Sequence, residues 1–155
     1  MKITPMKAKL IMAITLAIVL FACHKDKFQD APTVDVKSIS PNTVSHGDII
    51  EMRSKFTDDN GDLDSAIVVY KWYNGNTATK TDTIRNSLKG LGLPSKLREG
   101  DINVTFAYNV INTGYATITG VSQRDTTATF GLILIDKAAH RSNYSESDRI
   151  RLKKV

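Results

Sequence analysis

The chain has 155 residues, 24% of them charged and 41% hydrophobic, with a formal net charge of +5. Its single cysteine, Cys23, excludes an internal disulfide, and a lone thiol cannot build a metal site. Lys2, Lys7 and Lys9 supply three of the 21 basic residues, so the part after residue 22 carries 18 Lys/Arg against 16 Asp/Glu, a formal +2. That balance gives nucleic-acid binding no global support.

The first segment reads as an address rather than part of the fold. Three lysines with no acid among them precede Leu10–Ala22, a run without a charge. This run is shorter than the ~20 apolar residues that a bilayer span needs. It fits the apolar region of a secretory signal, usually about 7–15 residues. Met6-Lys7-Ala8-Lys9 makes an equally normal signal start, which leaves Met1 and Met6 as alternative initiation points. The run closes on Leu20-Phe21-Ala22-Cys23, which resembles a bacterial lipobox. That resemblance implies a signal peptide over residues 1–22, diacylglyceryl transfer to the Cys23 thiol, and cleavage that leaves Cys23 as an acylated N-terminus. The alternative is an ordinary signal with a stray cysteine near its cleavage point. Stable anchoring takes two acyl chains or more. His24, rather than aspartate, follows the cysteine, and by resemblance to enteric-type sorting this implies the outer membrane. Lys25-Asp26-Lys27 is faintly similar to the charged tags of some surface-exposed Bacteroidota lipoproteins, so either face of that membrane stays open.

Residues 23–32 read as a polar tether that, at ~3.3–3.6 Å per residue, reaches about 30 Å. The remaining chain, 33–155, is long enough for one domain with a real core. Its pattern has a period of two. Val34 and Val36 begin an edge strand. Ile50, Met52 and Phe56 share one face of Ile49–Phe56, and Glu51, Arg53 and Lys55 the other. Ala66–Tyr73 is a β-branched and aromatic run, with Val68, Tyr70 and Trp72 expected inward and Lys71 and Tyr73 outward. Thr79–Arg85 is a weaker strand. Ile102, Val104, Phe106, Tyr108 and Val110 alternate most clearly. Thr127–Asp136 is nearly all apolar, as a central strand would be. Arg149–Lys153 alternates charge with Ile150 and Leu152. Such runs, bounded by Gly, Asn, Asp and Ser and without a convincing helix, predict an all-β fold: an immunoglobulin-like two-sheet antiparallel sandwich of seven or so strands.

Between the strands, Asn86–Gly100 is long for a hairpin loop, and Leu88, Leu91, Leu93 and Leu97 are expected to cap the core, with a partner contact as the alternative. Trp72 is expected in the core, with an exposed sugar platform as its alternative. Arg149, Arg151, Lys153 and Lys154 form a basic stripe that would protect an edge strand from aggregation, or attract anionic lipid.

Two turns carry a family resemblance. Phe56-Thr57-Asp58-Asp59-Asn60-Gly61-Asp62-Leu63-Asp64 and Asp136-Lys137-Ala138-Ala139-His140-Arg141-Ser142-Asn143 resemble turns of small Bacteroidota lipoproteins with a single immunoglobulin- or PKD-like domain, as does Glu99-Gly100-Asp101-Ile102 leading into a strand. The resemblance runs over essentially the whole exported chain. It implies a fold and an envelope location, and no reaction.

The acidic turn is the candidate metal site. Asp58, Asn60, Asp62 and Asp64 are spaced by two, and Ca2+ takes 6–8 oxygen ligands. In such a sandwich Asp136, with Asn143, would approach Asp62. Leu63 and Val69 stand where an EF-hand needs glycine and glutamate, so calcium would need other donors. The alternative is Asp and Asn side chains bonding their own backbone. His140 is expected as a solvated turn residue. Asp64-Ser65-Ala66, Asp82-Thr83-Ile84 and Asp125-Thr126-Thr127 resemble a short Bacteroidota O-glycosylation signal, marking Ser65, Thr83 and Thr126.

No G-x-S-x-G, H-E-x-x-H or glycine-rich phosphate loop occurs. No sequence signature pairs His24, His46 or His140 with a nucleophile. The expected function is therefore a non-enzymatic, outer-membrane lipoprotein held by acylated Cys23, a binding or structural module with an envelope protein or glycan as partner and calcium as the candidate cofactor. The rival is a calcium-stiffened accessory that binds glycan or protein through loops at one pole.

Overall fold

The computed structural model describes residues 31–155 apart from Gly90, Gly92, Leu93, Ser95, Asn112, Thr113, Val121 and Ser122. Cys23, the signal segment and most of the tether lie outside the described residues. Among the described residues there are ten strands: β1 (Thr33–Ser40), β2 (Thr43–Val44), β3 (Ile49–Thr57), β4 (Leu63–Asn74), β5 (Thr77–Ser87), β6 (Glu99–Tyr108), β7 (Ala116–Ile118), β8 (Thr126–Asp136), β9 (Ser145–Glu146) and β10 (Ile150–Leu152). No helix among the described residues is long and apolar enough to cross a membrane.

The strands form two sheets. One has the order β1-β3-β6-β7; the other runs β2-β10-β8-β4-β5, with β9 added on β8. Set against the seven-strand scheme of the immunoglobulin sandwich, β1, β3 and β6 occupy the first, second and fifth places, and β4, β8 and β10 the third, sixth and seventh. The expected immunoglobulin-like two-sheet sandwich therefore holds, but its sheets are mixed rather than purely antiparallel, because the short strands β2 and β7 pair in parallel with β10 and β6. The strand count rises from seven to ten because β2, β7 and β9 have only two or three residues, too short to show a period.

Alternation becomes packing in β3, where Ile50, Met52, Ser54 and Phe56 are buried and Arg53 and Lys55 exposed. Opposite them Phe130 of β8 meets Phe106 of β6, with ring centroids 5.3 Å apart. Tyr70 stacks on the same Phe130 at 6.2 Å. Trp72 is buried within this core, so the sugar-platform alternative for it fails. Leu88 and Leu97 pack on the core as expected, whereas Leu91 is 65% exposed and Leu93 lies outside the described residues.

The outer face of the second sheet carries its own polar cluster. Lys71 Nζ lies 3.1 Å from Glu146 Oε1 and 4.7 Å from the centre of the Tyr144 ring. The Thr129 hydroxyl donates to Glu146. Gly131 opens the space for Tyr144, since a Cβ there would stand 2.3 Å from the ring. Burial alone would raise the Glu146 carboxyl, but the bonds from Thr129 and Lys71 outweigh it and hold it below its ordinary value.

The basic stripe does not lie at an edge. β10 sits between β8 and β2, which pairs with it in parallel through Arg151↔Thr43 and Leu152↔Val44. Its charges are therefore not edge protection.

Replacing Phe130 with Ala is expected to cost about 3–5 kcal/mol, because the ring is fully buried between the sheets; chemical denaturation checks this. A depressed Glu146 carboxyl contributes stability above its ordinary range and loses it as pH falls through the lowered value. The difference in thermal midpoint between the parent chain and Glu146→Gln should accordingly be largest near neutrality and shrink on acidification, vanishing once the pH has fallen through the lowered value.

Candidate functional site

Strand direction divides the molecule into two poles. At the first, Thr33 pairs with Thr57, Thr57 with Glu99, Leu63 with Asp136, and Ser65 with Ser87. At the other, Ile49 pairs with Ala107, Asn74 with Thr77, and Thr126 with Leu152. The described chain begins at the first pole, which also holds both turns singled out in the sequence.

The acidic turn is built on its own backbone. Asp58 is 1% exposed, and its Oδ2 accepts the Asp62 N–H at 2.8 Å. The Gly61 N–H donates to the Asp58 carbonyl at 3.0 Å, and the Asp58 N–H to the Arg98 carbonyl at 2.7 Å. Gly61 has φ +63°, and a Cβ on it would lie 2.5 Å from the Lys96 backbone. Glycine is required here twice over, for the left-handed conformation and for the close approach of the Lys96 backbone. The sequence alternative of Asp side chains bonding backbone is thus present in Asp58.

The second turn meets the first. The Lys137 N–H donates to the Asp62 carbonyl at 3.1 Å, so Asp136 and Asp62 share one pole as expected. Asn143 goes elsewhere: its side chain accepts from Val34 N–H at 3.0 Å and donates to the Val34 carbonyl at 2.8 Å, pinning the start of β1. His140 is not merely a solvated turn residue. Buried Asp136 accepts its backbone N–H at 2.7 Å through Oδ1 and approaches its Nδ1 at 2.8 Å through Oδ2. The i,i+4 spacing and Ala139 at φ +69° close this loop. A histidine and a carboxylate do meet, then, but nearby Ser142 Oγ is engaged by the Leu134 N–H at 2.8 Å and donates to the Asn143 carbonyl at 2.7 Å.

The five candidate calcium ligands do not converge as a set. Asp64 pairs with Lys89 at 3.2 Å, and Asp136 is committed to His140. Among the described residues, no group of three or more His, Cys, Asp or Glu is gathered to hold a metal ion. Two oxygens are left over: Asp58 Oδ1 and Asp62 Oδ1 are buried without a hydrogen-bond partner. Of the marked hydroxyls, Ser65 is buried and accepts from Arg85 at 3.1 Å, Thr126 donates to the Tyr73 carbonyl at 2.9 Å, and Thr83 is exposed. Burial removes Ser65 from the sites open to modification on the folded domain.

At the opposite pole lies a feature that sequence reading missed, a cleft between the β4–β5 turn, the segment leading into β8, and β10, lined by Tyr73–Asn76, Arg124–Thr127, Arg149 and Arg151. These residues are far apart in the chain, and although Arg149 and Arg151 stand out as a basic stripe, nothing local links them to Tyr73, Asn76 or Arg124. Only a strand map could have joined them.

No family model matches the chain, and no curated protein matches it. Solved structures with a similar course include the sporulation control protein Spo0M from Bacillus subtilis, 13% identical over 81% of this chain and 50% of that one, TM-score 0.44. The Pseudomonas fluorescens alkylpurine DNA glycosylase AlkC is 7% identical over 97% of this chain and 40% of its own, TM-score 0.46. The CARDB domain of PF1109 from Pyrococcus furiosus, solved in complex with di-metal ions, is 13% identical over 80% of this chain and 87% of that domain, TM-score 0.26. The chain thus spans half or less of the first two. At these identities and scores the likenesses carry no argument about activity.

Gly61→Ala is expected to lower stability by roughly 2–4 kcal/mol, because it adds left-handed strain to a backbone clash. Gly75→Ala, also at positive φ but with open space around it, should cost only about 1 kcal/mol. Comparing their denaturation midpoints separates the two effects.

Proposed function

We propose that this chain is a lipid-anchored envelope protein of the Bacteroidota type, held in the outer membrane through acylated Cys23, and that its β-sandwich is a binding or structural module without catalytic action. The observation that carries the reading is the lipobox-like Leu20-Phe21-Ala22-Cys23 directly after an uncharged apolar run. Its position also makes mechanical sense. A ten-residue tether ending at Pro32 joins β1 at the pole where Thr33 pairs with Thr57, so the domain hangs by that pole. The loops of the opposite pole then form the end farthest from the anchor. The basic C-terminal stripe lies at that far end, which speaks against its serving as a lipid contact.

The experiment is fractionation of cells expressing the chain or Cys23→Ser. The parent protein should follow the outer membrane and the variant the soluble periplasmic fraction. Equal distribution of the two would refute the anchor.

A second reading, calcium-stiffening of the anchored pole, is favoured by the orphaned oxygens of Asp58 and Asp62. Buried charges are ordinarily paired or bound to a cation. Ca2+ would take those two oxygens and complete its shell from backbone carbonyls and water. A ligand that binds only the folded state raises its stability, by about 2.7 kcal/mol at ~100 Kd. Millimolar calcium should therefore raise the thermal midpoint of the parent chain and leave Asp62→Ala unmoved. An unchanged midpoint would reduce the turn to backbone capping.

A further inference from the structure

The cleft at the far pole has a volume of about 420 Å3 and is lined by three arginines and one aspartate. Two of the arginines are held in place. The Arg149 guanidinium stands 3.9 Å from the centre of the Tyr73 ring, and its Nη1 donates to the Gly75 carbonyl at 3.1 Å and to Asn76 Oδ1 at 3.2 Å. Arg151 donates to Asp125 Oδ2 from Nε at 3.0 Å and from Nη2 at 2.7 Å. The other oxygen of Asp125 accepts the Lys154 N–H at 3.0 Å. The acid of the cleft is thereby fully occupied. The Lys154 N–H above all, with Arg151 and Lys153 adding to it, keeps its carboxyl below the usual range against the opposing effect of burial.

Arg124 makes no ion pair or hydrogen bond with the described residues. A guanidinium has five N–H donors, so Arg149, bonded through Nη1, keeps those on Nε and Nη2. Fixed arginines lose little freedom when they take up an anion, and their planar fork matches a carboxylate. Around them the lining is neutral and polar, with asparagine amides and threonine hydroxyls suited to sugar hydroxyls. At Gly75 the backbone is bare, with nothing within 4 Å of where a side chain would begin. A ligand can lie close against it.

We propose that this cleft binds an acidic glycan, a polysaccharide bearing uronate-type carboxylates, with Arg124 and Arg149 taking the carboxylate and Asn76 and its neighbours the hydroxyls. This deepens the binding-module reading and rests on it, though not on the lipid anchor. A peptide ligand is less well served, because Tyr73, the aromatic face in the cleft, is already covered by Arg149. A nucleic acid is less well served too, because the exported chain lacks the basic excess that phosphate backbones reward. The larger depression beside β1 does not compete: it mixes Asp35, Glu99 and Asp101 with Lys37 and Lys55, so its charges offset one another.

Titration calorimetry on the detergent-solubilised full-length chain tests this with polygalacturonate, neutral dextran and a short DNA duplex as probes. Polygalacturonate should bind, more weakly as salt rises, and dextran should not. Arg124→Gln combined with Arg149→Gln should weaken binding roughly tenfold or more. Arg149→Lys should fall between, keeping the charge without the fork. Lys55→Gln, in the other depression, should match the parent. An unchanged thermal midpoint and near-ultraviolet dichroism will show that the variants are folded. Preference for dextran or DNA would overturn the ligand class while leaving a binding module. No heat with any probe, or full binding by the folded double variant, would overturn the site. Neither result bears on membrane fractionation, which tests the anchor separately.

Discussion

Strand β8 has to be covered on both faces, and the rest of the molecule is arranged to cover it. Phe130, Leu132 and Leu134 point into the sandwich and are fully buried, while Thr129 and Gly131 lie under Glu146 and Tyr144 on the outer face. β4 pairs along nearly the whole strand on one side, and β9 and β10 divide the other between them. Burying this much apolar surface contributes about 25 cal/mol per Å2, the chief favourable term available to a domain whose chain holds a single cysteine. The central strand also fixes polarity. It starts at Thr126 beside the arginine cleft and stops at Asp136 beside the acidic turn, so one element spans the distance between the two candidate sites.

The two poles use charge in opposite ways. At the pole where the described chain begins, carboxylates are buried and turned toward backbone: Asp58 onto the Asp62 N–H, Asp136 onto His140. Each closes its own turn, while backbone bonds from Asp58 to Arg98 and from Lys137 to Asp62 join the loops and the Asn143 amide pins the start of β1. At the far pole the charge is cationic and reachable, and its groups are held by a ring, an amide and a carboxylate. An anchor at one end and a receptive surface at the other is a division of labour that the strand directions permit, since β1 begins where β8 ends.

Much of this fold was legible in the sequence wherever one strand face is buried and the other is not. β3 and β6 alternate because each meets solvent on one side, and β8 reads as continuously apolar because neither face does. β5 was recognised as shorter than it is. As an edge strand exposed over most of its length, it has no apolar rhythm to mark its ends. β2, β7 and β9 are defined by what they pair with rather than by local pattern. The same division applies to the sites. The acidic turn is contiguous, so its residues could be named, whereas the destination of each carboxylate depended on packing. The bond from Asp136 to His140 had a signal in its i,i+4 spacing across a turn, but nothing local required the histidine to fold back. The cleft joins Tyr73, Asp125 and Arg149 across three elements, and no spacing along the chain links them.

Under the proposed reading Cys23 matters most, because a lipid anchor there would decide which pole faces outward. The most direct measurement is the mass spectrum of the N-terminal peptide from chain purified out of native membranes. The expected peptide begins at Cys23 and carries a diacylglyceryl group on its sulfur. A peptide that begins at Cys23 or beyond with no lipid, or one that still holds Leu10–Ala22, would contradict that reading.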